Sequence, residues 1–598
     1  MRNVPVPSTR GLAWVVVFGA VLSAVAWWPM LSAYPHTQMH DSSFFHKMIE
    51  VTRVSITRYH ELPLWNPFEC GGVALWDNPQ GVAAAPLVWL TLLVGTTRTM
   101  ELWYFFHSIA GVLCMWCLAR LDLRMSMPAS LVAAAAWSFA GVHHMHFTGG
   151  HFVWVPYLYF PLALFLWRRA ETQPWYGVGL GFLAALAMYE GGTYPLPYLA
   201  TLLGAETLFR VWPPRRFLRI LRAALVVFVV ALAVGAPRFF PVWDQLSHHH
   251  RDIAPDFDAM TTANLKDIFL ARDHGRGADG QQYVWPEFGA YVGPILLALA
   301  AIGALSLGVS ELWLLVLFAL SFALMCGHFS TYAPWSVLNK YVYPFKQMRV
   351  PSRFVVMTSL FMAIFAGFAV DRLPQRLRRM RSQDAFKVAI IGLAFIGIGD
   401  EISVGRTFLA STSMWSVAAM VGAPQEWKRP AAPRLYLGPP IPPAPPPRAA
   451  VDSSFIDAPY SNIADLHCWE EWAFERDAPL WLGDVPQAKS TSIGVTVTHV
   501  DRTTNTFTVD LVASGPGRVL LNSTYDRGWR TDHGEVVADG KMLAVDVPSG
   551  TYKLRVRYWP HGLTAGFVVA AVATVGLAIL FVRHRRRARA VFARAVAS

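Results

Sequence analysis

The feature that most limits what this chain can fold into is a series of apolar runs separated by short clusters of arginine. Each run is about 17 to 25 residues long, enough for a helix to cross a hydrocarbon core. The runs lie near 11–33, 102–119, 129–147, 152–168, 176–191, 193–211, 223–243, 288–308, 311–327, 353–371, 386–404 and 562–582. The clusters are Arg120/Arg124, Arg168/Arg169, Arg215/Arg216/Arg219/Arg222, Arg376/Arg378/Arg379/Arg381 and Arg583/Arg585/Arg586/Arg587. If the N-terminus is cytoplasmic, alternation places every cluster on the cytoplasmic side, where Lys and Arg are enriched. The run 83–95 is too short to cross, and counting it would invert that agreement, so it is expected to lie at the outer interface. The sequence therefore predicts a polytopic α-helical membrane protein of about twelve transmembrane helices, with both termini cytoplasmic.

Composition agrees: 54% of residues are hydrophobic and 15% charged, against about 25% charged in soluble domains. The net charge of +12 sits in the arginine clusters rather than in a base-reading module, which argues against a nucleic-acid partner. Arg2 and Arg10 precede the first run and Leu31-Ser32-Ala33 ends it, as in a signal peptide. At about 23 residues it is too long for such a core, and an uncleaved first helix is expected.

The same alternation turns the polar regions 34–101, 149–151, 244–287, 328–352 and 405–561 outward, so chemistry is expected on the extracytoplasmic face. Four parts follow: 1–404, a transmembrane domain with a first outer loop at 34–101; 405–448, an outer segment with a Pro-rich linker; 449–561, β-rich; and 562–598, a last helix with a basic tail. From Ser492 apolar residues alternate with polar ones, and Gly515-Pro516-Gly517, Asp539-Gly540 and Ser549-Gly550 mark turns. This predicts an antiparallel β-sandwich of roughly 70 residues. Asn522-Ser523-Thr524 forms a glycosylation sequon within an expected strand. The five cysteines form no disulfide framework: Cys114 and Cys117 fit small side chains on one helix face, while Cys70 and Cys468 both lie on the outward, oxidising side, where a bridge between them is open.

Asp41 stands about eight residues beyond the first span, in an outer loop that also holds Glu50, Glu61, Glu69 and Asp77. An outward carboxylate there suits a general base that takes the proton of an acceptor hydroxyl; it equally suits the cap of a helix starting at Ser42. Lys346, Arg349 and Arg353 put positive charge on the outer side, against the topological trend, where a phosphate would be held; snorkelling at the interface is the plainer account. His143, His144, His146 and His151 cluster, but their spacing matches no metal signature, so a role in substrate binding or loop structure is expected. Glu190, beside Gly191 and Gly192, is expected to line a cavity. No cofactor is required by the sequence, and a divalent metal stays open without support.

Asp41, Leu64-Trp65-Asn66-Pro67 with Gly71-Gly72 and Asn78-Pro79-Gln80, Arg349 to Phe354, Tyr525 to Arg530, Asp539-Gly540-Lys541 and Val547 to Gly550 occur in an order that resembles the YfhO-type bacterial membrane proteins of the GT-C glycosyltransferase superfamily. The resemblance implies an inverting transferase in a bacterial inner membrane that takes sugar from a polyprenyl-phosphate carrier. A glycan, lipid or protein would be the acceptor, with Asp41 as base and Arg349 and Arg353 near the lipid phosphate. The substrate-binding candidates are Asp77, Asn78, Gln80, His151, Glu190, Lys346, Arg349 and Arg353. Asp77 stands where relatives carry an uncharged residue, which leaves Asp41 and Asp77 as rival bases. A non-catalytic transporter or flippase of lipid-linked substrates, or an envelope-assembly scaffold, is the alternative.

Overall fold

The computed structural model describes residues 9–33, 36–38, 41–211, 216–249, 261–277, 280, 283–376, 383–411, 414–416, 459, 478–481 and 485–597. Within them the chain is mostly helical. Seven helices are long and apolar enough to cross a membrane: Thr9–Ala26, Thr96–Asp122, Phe217–His248, Trp285–Leu305, Pro351–Gln375, Asp384–Ser411 and Leu563–Arg586. They mark a membrane protein.

The other five expected spans are broken or short, for local reasons. The run 129–147 divides into Met127–Ser138 and Gly141–Thr148. At the break Gly141 donates its N–H to the Tyr291 carbonyl (3.0 Å), and a Cβ there would lie 2.4 Å from the Tyr291 nitrogen. The run 152–168 opens as a 3-10 helix, Phe152–Tyr159, containing Pro156, and turns α-helical at Phe160–Ala170; proline has no N–H to continue a ladder. Pro174–Tyr189, Pro195–Arg210 and Leu312–Met325 have 16, 16 and 14 residues. At 1.5 Å per residue these reach about 24 Å or less, short of a hydrocarbon core of about 30 Å. The run 83–95 forms a 3-10 turn, Pro86–Leu90, and one helical turn, Thr91–Val94, ended by Gly95.

Several arginines at helix ends are structural. Arg168 and Arg169 pair with Asp122, and Arg210 with Glu171 and Glu206, which ties neighbouring helix ends together.

The first loop opens with helix Asp41–Thr57, whose residues 42–52 are all buried. Glu50 on it accepts Thr96 Oγ1 at 2.6 Å and the Arg53 guanidinium, which fastens it to the second long helix. Beyond it, residues 65–74 make a two-stranded hairpin, Trp65–Asn66 against Val73–Ala74.

The β-rich region contains two four-stranded antiparallel sheets. One runs Glu535–Asp539, Met542–Val547, Gly517–Thr524, Ala488–Ser490; the other Val495–Arg502, Thr506–Ala513, Gly550–Tyr558, Trp529–Thr531. Val509, Leu511, Val519, Leu521, Val545 and Val556 from both sheets share one apolar core with Leu64, Trp65, Ala74 and Trp76 of the first loop. The loop that the sequence groups with the membrane part is thus packed into the β-rich part. Gly72, at φ 116, makes this possible: a Cβ would meet Trp65 Nε1 at 2.6 Å and Ser523 Oγ at 2.8 Å, while Thr524 Oγ1 donates to the Gly72 carbonyl at 2.6 Å. Asn522 is fully buried, with its amide bonded to both backbone groups of Trp481, so the sequon is closed to glycosylation. Cys70 is disulfide-bonded, and Cys114, Cys117 and Cys326 are free. Cys468 and the Pro-rich linker lie outside the described residues.

Candidate active site

Asp41 occupies the first turn of the helix Asp41–Thr57 with its side chain 46% exposed. The loop after helix Gly141–Thr148 meets it head on. Gly150 adopts φ 79, and a Cβ on it would lie 2.1 Å from the Ser42 nitrogen and 2.7 Å from the Asp41 carbonyl carbon. Only a residue without a side chain allows that approach. The next residue, His151, is thereby delivered to Asp41, with Nε2 3.7 Å from Asp41 Oδ2. Tyr104 holds it in place by donating its hydroxyl to the His151 carbonyl at 2.8 Å.

Three further elements close on His151. Its Nε2 is 3.6 Å from Glu287 Oε1, and its Nδ1 is 3.0 Å from His146 Nδ1. Arg353, in the 3-10 turn Pro351–Phe354, donates Nε and Nη2 to the two oxygens of Glu287 at 2.6 and 2.5 Å. Its guanidinium lies 3.7 Å from the centre of the Trp154 ring and 4.7 Å from that of Tyr194, and these two rings stack on each other. A bidentate pair sandwiched against indole is the geometry for which arginine, not lysine, is suited. One half-exposed carboxylate is therefore backed by a buried layer of two imidazoles, a carboxylate and a guanidinium. His146, His151 and Glu287 offer ligand atoms within 4.8 Å of one another, the described group able to hold a metal ion.

The sequence-predicted residues separate into four places. Asp41, His151 and Arg353 come together as described. Lys346 is exposed and Arg349 half-buried, on either side of Gln347 and Met348. Those two residues line an apolar groove of about 290 Å³ with Tyr194, Phe239, Val242 and Leu246, so the groove borders the cluster through Tyr194. Glu190 is buried elsewhere, accepting Tyr159 Oη at 3.1 Å and facing His107 Nε2 at 3.1 Å.

Asp77, Asn78 and Gln80 belong to a fourth place. The helix Phe217–His248 carries Pro237 and Pro241. Since Pro241 has no N–H, the Pro237 carbonyl loses its helical partner, and Trp76 Nε1 donates to it at 2.8 Å. Arg238, fully buried between the two prolines, donates to the carbonyls of Trp76, Asn78 and Gly81. Asn78 Oδ1 accepts the Gln80 N–H at 2.9 Å. Asp77 Oδ2 accepts Gln245 Nε2 at 2.9 Å and Tyr558 Oη at 2.8 Å. These residues build the seam between loop, membrane helix and β-rich part.

Sequence reasoning passed over Glu287, Trp154, Tyr194, Arg238 and Gln245. Two carried a signal: Arg238 interrupts an apolar run between prolines, and Glu287 stands at the head of one, and ionisable groups at membrane depth are rarely idle. The aromatic partners carried none.

No protein-family model and no curated protein matches the chain. Among solved structures it is similar to the arabinofuranosyltransferase AftD from Mycobacteria, at 14% identity and a TM-score of 0.44, over 69% of this chain and 28% of that one. A mutant of the same protein gives 12% identity and a TM-score of 0.43, over 69% and 29%. The chain thus spans less than a third of the length of that structure's chain.

Proposed function

We propose that the protein is an inverting membrane glycosyltransferase. It moves a sugar from a polyprenyl-phosphate carrier to an extracytoplasmic acceptor, a cell-envelope glycan, lipid or protein. The observation that carries this reading is the half-exposed Asp41 beside His151, with an apolar groove opening next to the same cluster through Tyr194. A base needs access to the acceptor, and an isoprenoid chain needs an apolar channel beside it.

The groove would take the first isoprene units, and Lys346 and Arg349, flanking the lining residues Gln347 and Met348, would meet the phosphate. Arg353 supports the site from beneath, since its charge is engaged by Glu287. In the reaction Asp41 takes the proton of the acceptor hydroxyl while that oxygen bonds to the anomeric carbon. The bond from that carbon to the phosphate oxygen breaks, and its electron pair leaves with polyprenyl phosphate. A phosphate leaving group is stable as an anion, so a single carboxylate suffices where glycoside hydrolysis uses two. The bacterial inner membrane and an outward-facing site complete the proposal.

The test is transfer of labelled sugar from a panel of polyprenyl-phosphate sugars by purified protein in lipid, wild type beside Asp41→Asn and Asp77→Asn. Release of polyprenyl phosphate by wild type, lost in Asp41→Asn and retained in Asp77→Asn, is the expected result. Full turnover by Asp41→Asn removes the base assignment. Absence of both donor binding and turnover transfers the case to a lipid-linked-substrate transporter or assembly scaffold.

A further inference from the structure

Three electron-pair donors converge in the buried layer behind Asp41. Asp41 Oδ2 and Glu287 Oε1 face His151 Nε2 across 3.7 and 3.6 Å, and the ligand atoms of His146, His151 and Glu287 fall within 4.8 Å of one another. These separations are too long for hydrogen bonds. They are near the edge of a coordination polyhedron instead, since metal–ligand bonds of about 2.1 Å give tetrahedral edges of about 3.4 Å. With its Nδ1 engaged by His151 Nδ1 at 3.0 Å, His146 keeps Nε2 buried and without a hydrogen-bond partner among the described residues, a costly state for a polar atom without a ligand.

We propose that His146, His151 and Glu287 form a divalent transition-metal site, with Asp41 at its open side. Arg353 on Glu287 is compatible with this. A carboxylate has about four lone-pair positions, so Glu287 accepts both Arg353 donors and keeps one direction toward His151. Arg353 is then the outer partner that orients a ligating carboxylate. Charge balance points the same way. Two carboxylates, Asp41 and Glu287, against one guanidinium leave one negative charge with neutral imidazoles; a divalent ion turns this to one positive charge, the sign that attracts a phosphate. Mixed imidazole and carboxylate donors suit Zn²⁺ ahead of Mg²⁺ or Ca²⁺. The site stands independently of the transfer reading.

The test strips full-length protein in lipid with a chelator and titrates it with Co²⁺, whose visible d–d absorption reports the ligand set, then with Zn²⁺ as competitor. Wild type should bind one Co²⁺ per chain, displaced by Zn²⁺, and His146→Gln and His151→Gln should each weaken binding at least about ten-fold. Glu287→Asp, which keeps the charge opposite Arg353 and so the fold, should still bind but with shifted bands. No Co²⁺ spectrum in wild type overturns the site. Binding that survives both histidine variants also overturns it. Bound metal with neither donor binding nor transfer keeps the site and removes the transferase reading.

Discussion

Tyr558, the last residue of the final strand in the β-rich part, donates its hydroxyl to Asp77 Oδ2 across 2.8 Å, although 481 positions separate them. Gln245, from a membrane helix, donates to the same oxygen at 2.9 Å and to Asp526 Oδ2 at 3.1 Å. One amide thus bridges two carboxylates at the seam between membrane and outer parts. Asp77 is 2% exposed. Burial, and then the neighbouring Asp526, push its carboxyl up from an ordinary 3.8 to about 7.

That shift has a definite sign. Between pH 3.8 and about 7 the folded protein holds a proton on Asp77 that the unfolded chain has released. Stability therefore falls as pH rises through that window and stays low above it. Asp77→Asn keeps an acceptor for Tyr558 without the charge. It should flatten the decline, raising the unfolding midpoint near pH 8 and leaving it little changed near pH 4. Equal slopes for wild type and variant in a thermal-unfolding series would show that Asp77 is not the titrating group.

Gly150→Ala tests how His151 is delivered. The new methyl would lie 2.1 Å from the Ser42 nitrogen at a φ of 79, so the loop must withdraw from the helix Asp41–Thr57. Left-handed backbone costs an alanine about 1 to 2 kcal/mol, small against a whole fold. Transfer should drop at least about ten-fold with helix content unchanged, because misplacement by about 1 Å is costly at a reacting centre. Unaltered activity would mean that Asp41 does not depend on this approach.

Arg353→Lys is predicted to be severe. Lysine cannot reproduce the two bonds to Glu287 or the flat stacking over Trp154. Breaking a buried pair by removing one partner costs about 3–5 kcal/mol, so Arg353→Met should cost at least as much as Arg353→Lys. Arg353→Met combined with Glu287→Leu should recover part of the loss, since neither charge is then buried alone. A double variant less stable than either single one, in unfolding measurements, would contradict that pairing.

Much of the architecture was legible because it is written locally. Apolar runs of spanning length gave long helices, and alternation from Ser492 onward gave strands bounded by turns. Five runs read as spans became shorter or broken helices for reasons that lie across the fold, such as the Tyr291 backbone pressed on Gly141. Part of the candidate cluster was visible in the sequence, because Asp41 lies where a membrane helix gives way to a polar loop. Glu287, 246 positions away by subtraction of the two numbers, could not be linked to it by any periodicity. Asp77 shows the opposite limit: its residue type and loop suited it as a rival base, yet its partners, Gln245 and Tyr558, come from elements whose docking no local pattern encodes.

The groove offers the most direct test of the carrier. Val242 and Leu246 lie one helical turn apart on its wall, which Tyr343 and Gln347 also line. Replacing Val242 with Trp fills a space of about 290 Å³ with a large ring while leaving Asp41, His151 and Glu287 in place. If the groove holds isoprenoid, the KM for a long-chain donor should rise about ten-fold or more with kcat little changed, because binding common to ground and transition states is what is lost. A donor with a truncated chain, which never reaches Val242, should show no change. Equal effects on both donors would place the carrier elsewhere, and a fall in kcat alone would mean that the ring has disturbed the base rather than the lipid.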